Sequence, residues 1–261
     1  MILELKNITL SFTGGKDTFR ILNKLNFSVE EGKITALVGG NGTGKTTLFN
    51  IISGFQRDYS GEILFKGENI NKHSPDSIAR KGIGRLFQGK PLLSDLTLLE
   101  NMKLASGDCS GEYPFSYLLN RKKVDRKELE KERQVKDILA RLFGENNKYL
   151  EMLHHKGSDF SYGEQRLIAL ARLFMSDYSL LLLDEPTAGV NPVLIESIQN
   201  IIRMMVTEGK TTVFLIEHNM PFVKGVADRC AYLSDGVIQY SGATDEVLNN
   251  QKVKNSYLGI I

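Results

Sequence analysis

Eight consecutive residues near the N-terminus have the composition of a phosphate-binding loop. Residues 39–46 read GGNGTGKT and fit the pattern G-x-x-x-x-G-K-[ST], after an apolar run and before a helical pattern. Glycines let the backbone curl so that its N–H groups point at phosphate oxygens, and the following helix N-terminus adds partial positive charge. Lys45 adds a full charge, and Thr46 offers a hydroxyl to Mg²⁺. The pattern predicts a site for the β- and γ-phosphates of a nucleotide; the alternative is an ordinary Gly-rich turn.

Two adjacent acids follow a second apolar run later in the chain. Residues 180–183 are four leucines, and Asp184 and Glu185 come directly after them. Asp184, at the end of a predicted strand, is placed to hold the Mg²⁺ shell, and Glu185 to orient and deprotonate an attacking water. Alone, such a pair could merely cap the turn at Pro186. Combined with Lys45, it predicts a phosphoryl-transfer site.

Guanine specificity is not supported. A GTPase would carry an N-K-x-D motif, but the residues two beyond the three Asn-Lys pairs are Asn26, Ser74 and Leu150. Residues 160–165 read FSYGEQ; they precede an apolar helical run and lie shortly before the acidic strand. Small-molecule kinases have no such segment, so this class is not supported either.

With this hexapeptide, the sequence resembles the ATP-binding cassette family. The resemblance covers nearly the whole chain, with every family motif present in order. It implies an α/β P-loop NTPase fold, a RecA-like core with an antiparallel β subdomain, into which an α-helical subdomain is inserted. It also implies ATP and Mg²⁺ as cofactors.

The resemblance assigns roles to individual residues. Phe12 would stack on the adenine, although Phe19 competes for this role because residues 14–18 blur the alignment. Gln88 would be the Q-loop glutamine and His218 the switch histidine that contacts the γ-phosphate. The implied ATP-binding residues are Phe12, Gly39, Asn41, Gly42, Thr43, Gly44, Lys45, Thr46 and Thr47. The implied catalytic residues are Glu185, His218 and Gln88, and the implied metal-binding residues are Thr46, Gln88 and Asp184.

The FSYGEQ segment corresponds to the signature motif of the family. Its implied residues are Ser161, Tyr162, Gly163, Glu164 and Gln165. Because Ser161 is expected to begin a helix, its hydroxyl and nearby N–H groups would form an anion site. In the family that site serves the opposite subunit of a head-to-tail dimer that encloses two ATP molecules. The motif departs from the common LSGGQ, since Tyr162 replaces a glycine and Glu164 the glutamine, and Asn191 stands where many relatives carry Asp.

Hydrophobic patterns divide the chain into three parts. Short β-like runs alternate with turns over the first 38 residues, and buried strands alternate with helices from Ile34 onward. We expect a discontinuous core formed by residues 1–92 and 158–240, a helical insertion at 93–157, and a short helical tail at 241–261. Within the insertion, residues 125–143 predict an amphipathic helix.

Composition limits the classes of function. Lys and Arg number 33 against 31 Asp and Glu, a formal charge of +2, so we expect no nucleic-acid partner. The two cysteines, Cys109 and Cys230, form neither a disulfide framework nor a zinc site. The N-terminus lacks a secretory signal, and no apolar run reaches the length of a membrane span. These features favour a reducing, cytoplasmic setting, and the family resemblance implies a peripheral location at the cytoplasmic face of the inner membrane.

Several local motifs resemble one subfamily, the larger ATPase of branched-chain amino-acid importers. These are the SYG of the signature, AGVNP at 188–192, IEHNM at 216–220 and VKNSYLG at 253–259. ATPases of urea import and of lipopolysaccharide export share parts of the pattern, and a soluble cassette protein is a further alternative. The resemblance implies integral-membrane permease partners, a homodimer or a heterodimer with a paralogous ATPase, and no direct contact with cargo. The segment from Gln88 through residues 91–99 is the expected coupling surface.

Overall fold

The structure is a computed structural model. It describes residues 1–14, 17–89, 91–105 and 114–258, and side chains within these ranges except at 13, 14, 17, 18, 114–123 and 256–258. Cys109, for which no catalytic role was expected, lies outside the described residues.

An antiparallel sheet of four strands begins the chain, in the spatial order β2-β1-β4-β5. Where short β-like runs separated by turns are expected at the start of the chain, residues Leu3–Gly14 form one long strand, because Asn7 adopts a positive φ of 53° and the pairing of β1 with β2 shifts register there without breaking. The four strands of this sheet are β1 (Leu3–Gly14), β2 (Asp17–Val29), β4 (Ser60–Phe65) and β5 (Glu68–Asn69).

A second sheet of six strands, in the order β10-β9-β3-β8-β7-β6, forms the core. Its strands are β3 (Ile34–Val38), β6 (Ile83–Leu86), β7 (Leu180–Asp184), β8 (Thr212–Ile216), β9 (Arg229–Ser234) and β10 (Val237–Ala243). Every residue of β3, β7 and β8 is buried, as expected for parallel strands covered on both faces. Only β10 pairs antiparallel, at the edge. The parallel arrangement brings the carboxyl ends of β3, β7 and β8 to one edge of the sheet.

Helices connect most of these strands. They are α1 (Lys45–Ile52), α2 (Pro75–Arg80), α3 (Leu98–Lys103), α4 (Pro114–Phe143), α5 (Lys148–Glu151), α6 (Tyr162–Arg172), α7 (Ile195–Thr207), α8 (Met220–Val226), α9 (Thr244–Asn249) and α10 (Gln251–Leu258). Within the part of the chain that the structure describes, no helix has both the length and the apolar character needed to cross a bilayer.

The chain forms two compact units. The first combines residues 1–88, 178–188 and the chain from Ile202 onward, and it holds both sheets. Its core contains Leu5 and Leu25 of the antiparallel sheet together with Leu37, Phe49 and Phe214. Phe214 contacts Phe49 with ring centroids 5.0 Å apart.

The second unit is helical and combines residues 89–177 and 189–201. This unit includes more residues than the helical insertion expected at 93–157. The reason is that α6 packs against α3 and α4, so the signature helix belongs with the helices that precede it.

Candidate active site

The loop at 39–46 lies between buried strand β3 and helix α1. Gly44 precedes the helix in a left-handed conformation, and no side chain caps the helix N-terminus. The first N–H groups of α1 therefore remain without a side-chain partner, as a phosphate-binding helix requires.

The glycines of this loop serve two different purposes. Gly42 and Gly44 have positive φ values of 78° and 98°, which side chains with a Cβ rarely adopt. Gly39 has no such conformation; a Cβ there would lie 2.3 Å from the carbonyl oxygen of Leu233 in β9. The loop is thus shaped by backbone conformation at its end and by close packing against the sheet at its start.

Lys45 folds back over its own loop. Its Nζ donates to the carbonyl oxygens of Gly39, at 2.9 Å, and Gly40, at 2.7 Å. Burial lowers the pKa of Lys45, and attraction to Glu185 and Asp184 opposes this shift. A cation held inside a loop of glycine N–H groups is suited to bind phosphate oxygens.

Thr46 and Asp184 provide two oxygen ligands of the kind that Mg²⁺ prefers. The Thr46 hydroxyl lies 3.5 Å from Oδ1 of Asp184, which is 1% exposed. Mg²⁺ commonly takes one or two protein oxygens and completes its shell with water and substrate phosphates. The described residues contain no cluster of three or more His, Cys, Asp or Glu side chains that could enclose a metal without such help. The pair therefore fits an ion that arrives together with a nucleotide.

Arg85 of β6 balances the charge of Asp184. Its Nη2 lies 3.3 Å from Oδ2 of Asp184, and its Nη1 donates to Asn50 and Ser53 of the α1 region, at 2.8 and 2.7 Å. Burial raises the pKa of Asp184, and the Arg85 guanidinium opposes that rise. The guanidinium also lies 4.7 Å from the ring centre of Phe87, directly before Gln88.

Glu185 and His218 meet at the same edge of the sheet. Oε1 of Glu185 lies 3.2 Å from Nε2 of His218, and both side chains are about one-third exposed. Their proximity follows from topology, because Glu185 directly follows β7 and His218 lies two residues after the end of the adjacent parallel strand β8.

A cleft of about 220 Å³ gathers most of the expected nucleotide-binding residues. Its lining is Phe12, Ile21, Asn41, Gly42, Gly44, Lys45, Thr46, Thr47, Glu185 and His218. Phe12 faces Phe19 across the β1/β2 hairpin, yet only Phe12 of the two lines this cleft. Phe12 is thus the one of these two aromatic residues that belongs to the cleft, and its contact with a base stays a prediction.

Gln88 is exposed beyond the end of β6 and is not among the residues that line the cleft. Its catalytic and metal-binding roles thus remain predictions from the resemblance. Gly39 and Thr43 likewise do not line the cleft; Thr43 instead donates from its hydroxyl to the carbonyl oxygen of Gly40, at 3.0 Å, and so shapes the loop.

The signature residues form the start of α6. Ser161 caps this helix in a reciprocal box with Glu164: its N–H and hydroxyl donate to Oε2 of Glu164, at 2.8 and 2.7 Å. Lys148 pairs with the same carboxylate. The Gln165 side chain donates to the carbonyl oxygen of Phe160, at 2.9 Å.

Two glycines in the helical unit allow close packing around the signature. A Cβ on Gly163 would lie 2.9 Å from a methyl group of Leu194, so no larger residue fits at this position without movement. Tyr162 stands where a glycine is common, and its ring lies over Gly189, at 3.2 Å from a Cβ built there.

Sequence reasoning missed two residues of this region, Arg85 and Glu217. Each lies buried in or beside a core strand, where a charged side chain requires a partner. Arg85 interrupts the apolar strand residues IGRL, and Glu217 directly precedes His218. In both cases the charged residue is visible in the sequence. The partner on another strand or loop, Asp184 for Arg85 and Thr187 for Glu217, is distant along the chain.

A central parallel sheet with a phosphate loop after one strand, and an acidic pair at the end of the strand two positions away, defines a P-loop nucleotide hydrolase. The ABC transporter family model matches residues 22–188. The chain belongs to the ABC transporter family and is an ATPase of that family.

Individual relatives agree with this assignment. The high-affinity branched-chain amino acid transport ATP-binding protein of Pseudomonas aeruginosa is 32% identical over 258 residues, covering 99% of this chain and 98% of the relative. A nucleotide-free ATP-binding cassette from an ABC transporter matches with a TM-score of 0.78 and 30% identity, covering 98% of both chains. A bacterial ABC transporter cassette solved as a dimer matches with a TM-score of 0.74 and 25% identity, covering 93% of this chain and 98% of that one.

Proposed function

We propose that the chain forms a head-to-tail dimer around two Mg-ATP molecules and drives a branched-chain amino-acid importer. The observation that carries the proposal is the cleft in which Lys45, Glu185, His218 and Phe12 come together. It combines a phosphate-binding cation, a carboxylate, a histidine and an exposed aromatic ring.

Each of these residues has a distinct chemical task. Lys45 exchanges its two carbonyl partners for β- and γ-phosphate oxygens, and Phe12 stacks on the adenine. Glu185 orients the attacking water and takes its proton, while His218, 3.2 Å from that carboxylate, contacts the γ-phosphate. Gln88, exposed two residues after the end of β6, would contact the same phosphate once nucleotide is bound. The water proton passes to the Glu185 carboxylate as the water oxygen bonds to the γ-phosphorus, and the bond from that phosphorus to the β,γ-bridging oxygen breaks to release ADP and phosphate.

Thr46 and Asp184 would hold Mg²⁺, with Gln88 as a third contact. Bound there, the ion would neutralise charge on the β- and γ-phosphate oxygens. Arg85 keeps the Asp184 carboxylate oriented toward Thr46 and offsets part of the cost of burying it.

The signature residues would complete the site of a second subunit. Ser161, Gly163 and the first N–H groups of α6 form an anion-binding helix start of the kind that accepts a γ-phosphate. The dimeric state of a structurally similar bacterial cassette supports this arrangement. In such a dimer ATP bridges the two chains, and its hydrolysis removes the bridge.

The cargo assignment depends on relatives and on local motifs. The Pseudomonas aeruginosa relative is named for branched-chain amino acid transport, and the SYG, AGVNP and IEHNM motifs of this chain resemble the same subfamily. The chain would act at the cytoplasmic face of the membrane, attached through permease subunits and without touching the cargo. Its second ATPase is another copy or a paralogue.

Copurification of a hydrolysis-deficient variant tests this proposal. Glu185→Gln should bind ATP but lose turnover by orders of magnitude, because the proton acceptor is removed. The tagged variant is expressed in its native cell, membranes are solubilised with ATP present, and partners are identified by mass spectrometry. Lys45→Ala, which should not bind ATP, is the matched control.

Recovery of polytopic permeases with a second ATPase, dependent on Lys45, would support the transporter assignment, and the permease would narrow the cargo to amino acids, urea or lipopolysaccharide. Recovery of ribosomal or DNA-associated proteins alone would contradict it and favour a soluble cassette protein.

A further inference from the structure

Glu217 is a buried carboxylate at the end of β8 with no assigned role. Its side chain is 3% exposed. A buried charge is costly unless it is hydrogen-bonded. Four donors meet this requirement: the Thr187 N–H and hydroxyl, and the N–H groups of His218 and Asn219.

The two oxygens of Glu217 bind two different loops. Oε1 accepts from Thr187, whose N–H lies at 2.9 Å, in the loop after β7. Oε2 accepts from the N–H groups of His218 at 2.9 Å and Asn219 at 3.1 Å, in the loop after β8. One carboxylate therefore links the loop that carries Glu185 to the loop that carries His218.

The Glu185 backbone needs such support. Its φ is 48°, a left-handed conformation that is unfavourable for a non-glycine residue and persists only where neighbouring contacts hold it. Its N–H donates to the carbonyl oxygen of Ile216, at 3.0 Å. Thr187, two residues further on, is held by Glu217. The unfavourable backbone of Glu185 is thus held by two contacts, one from its own N–H to Ile216 and one from Thr187 to Glu217.

We propose that Glu217 is a positioning residue that sets the distance between Glu185 and His218. Its hydrogen bonds go to the two loops, and they fix the backbone on both sides of the 3.2 Å contact between Oε1 of Glu185 and Nε2 of His218. The inference rests on the roles proposed above for these two residues, and it adds the element that aligns them.

Glutamine cannot replace Glu217 in this role. All four partners are donors, so both side-chain oxygens must accept. An amide has one accepting oxygen, and whichever way it turns its NH₂ group faces at least one N–H donor, because only the Thr187 hydroxyl can also accept. Glu217→Gln therefore keeps the shape of the side chain but forces one of the two loops away.

Turnover and ATP affinity together test the proposal on the full-length chain. For Glu217→Gln we expect kcat to fall at least about tenfold while the ATP dissociation constant changes by less than about threefold, because the P-loop is intact. Thr187→Val removes one of the donors without adding charge and should lower kcat less, in the same direction. Thr211→Val is the matched control: this equally buried hydroxyl donates to the carbonyl oxygen of Tyr178 at the far end of β8, at 3.0 Å, and kcat should not change.

A spectroscopic measurement makes the test independent of turnover. The chain has four histidines, and the ring ¹⁵N resonance of His218 is identified by its absence in His218→Ala. Glu185→Gln should move this resonance, because it alters the contact with Nε2. Glu217→Gln should move it in the same direction, and Thr211→Val should leave it in place.

The outcomes separate the two proposals. Full turnover in Glu185→Gln would contradict the proposed function. Loss of turnover in Glu185→Gln, together with wild-type kcat or an unmoved His218 resonance in a folded Glu217→Gln, would overturn the positioning role alone. Equal losses of kcat and thermal stability in Glu217→Gln and Thr211→Val would also overturn it, since that pattern marks a merely structural residue.

Discussion

Charged side chains buried at the nucleotide edge of the sheet all have specific partners. Asp184 faces Arg85 and Thr46, and Glu217 binds two loops. Removing one member of a buried pair leaves an uncompensated charge, which costs far more than removing both. These residues therefore couple the stability of the fold to the geometry of the site.

This coupling predicts a non-additive effect of substitution. Arg85→Met should lower the free energy of unfolding by about 3 kcal/mol, because Asp184 is left buried without its cation. Adding Asp184→Asn should restore part of that loss, although the hydrogen bonds of Arg85 to Asn50 and Ser53 stay broken. Urea unfolding at neutral pH without nucleotide measures both. Simple addition of the two single-variant losses would show that the pair is not coupled.

The burial of Cys230 predicts that its thiol is unreactive in the folded protein. It is 1% exposed, and burial raises the pKa of its thiol to about 12. Since the thiolate is the reactive form, the native protein should resist iodoacetamide at this position at neutral pH. Peptide mass spectrometry should find alkylated Cys230 only after denaturation. Rapid labelling in the folded protein would contradict the packing of β9.

Helices α3 and α6 begin with the same N-terminal capping motif. Thr97 with Glu100 and Ser161 with Glu164 each form a reciprocal capping box. Capping alone thus cannot distinguish a structural helix start from an anion site. The proposed function assigns anion binding to the start of α6 only.

The two boxes form a matched pair of variants. Thr97→Ala and Ser161→Ala should each destabilise the protein by about 1 kcal/mol, the usual value of such a cap. In a Glu185→Gln background, only Ser161→Ala should also weaken ATP-dependent association, because its hydroxyl would contact the γ-phosphate of the other subunit. Analytical ultracentrifugation with MgATP measures association. An equal loss in both variants would indicate that Ser161 acts only as a cap.

At the scale of the whole molecule, the cleft in one chain is open and contains no signature residue in its lining. A dimer would supply the missing contacts to the γ-phosphate from the partner. ATP would then act as part of the interface, so that association depends on bound nucleotide.

Light scattering after size exclusion tests this dependence. Glu185→Gln with MgATP should elute at twice the monomer mass and return to a monomer when EDTA removes Mg²⁺. Adding Lys45→Ala should keep it monomeric, because binding of the phosphates is lost. A Glu185→Gln chain that stays monomeric with saturating MgATP would contradict self-association and favour a paralogous partner.

The sequence by itself determined the chemistry of the site and the class of fold. The loop at 39–46 and the acidic pair 184–185 are local patterns, since each consists of neighbouring residues between a strand and a turn. The buried strands β3, β7 and β8 were predictable for the same reason: continuous apolar runs bounded by turns leave few alternatives. Asp184 and Glu185 could therefore be named before their surroundings were known.

Only the tertiary structure decided which distant residues serve these motifs. Arg85 reaches Asp184 because β6 pairs with β7, and Glu217 reaches Thr187 because β8 pairs with the other side of β7. Phe12 and Phe19 are likewise cross-strand partners that no local pattern separates, and only the tertiary structure shows that Phe12 alone of the two lines the cleft. The physical reason is that hydrogen bonds and ion pairs act over a few ångströms in space, so the order of strands in a sheet, which no local pattern specifies, determines the partners.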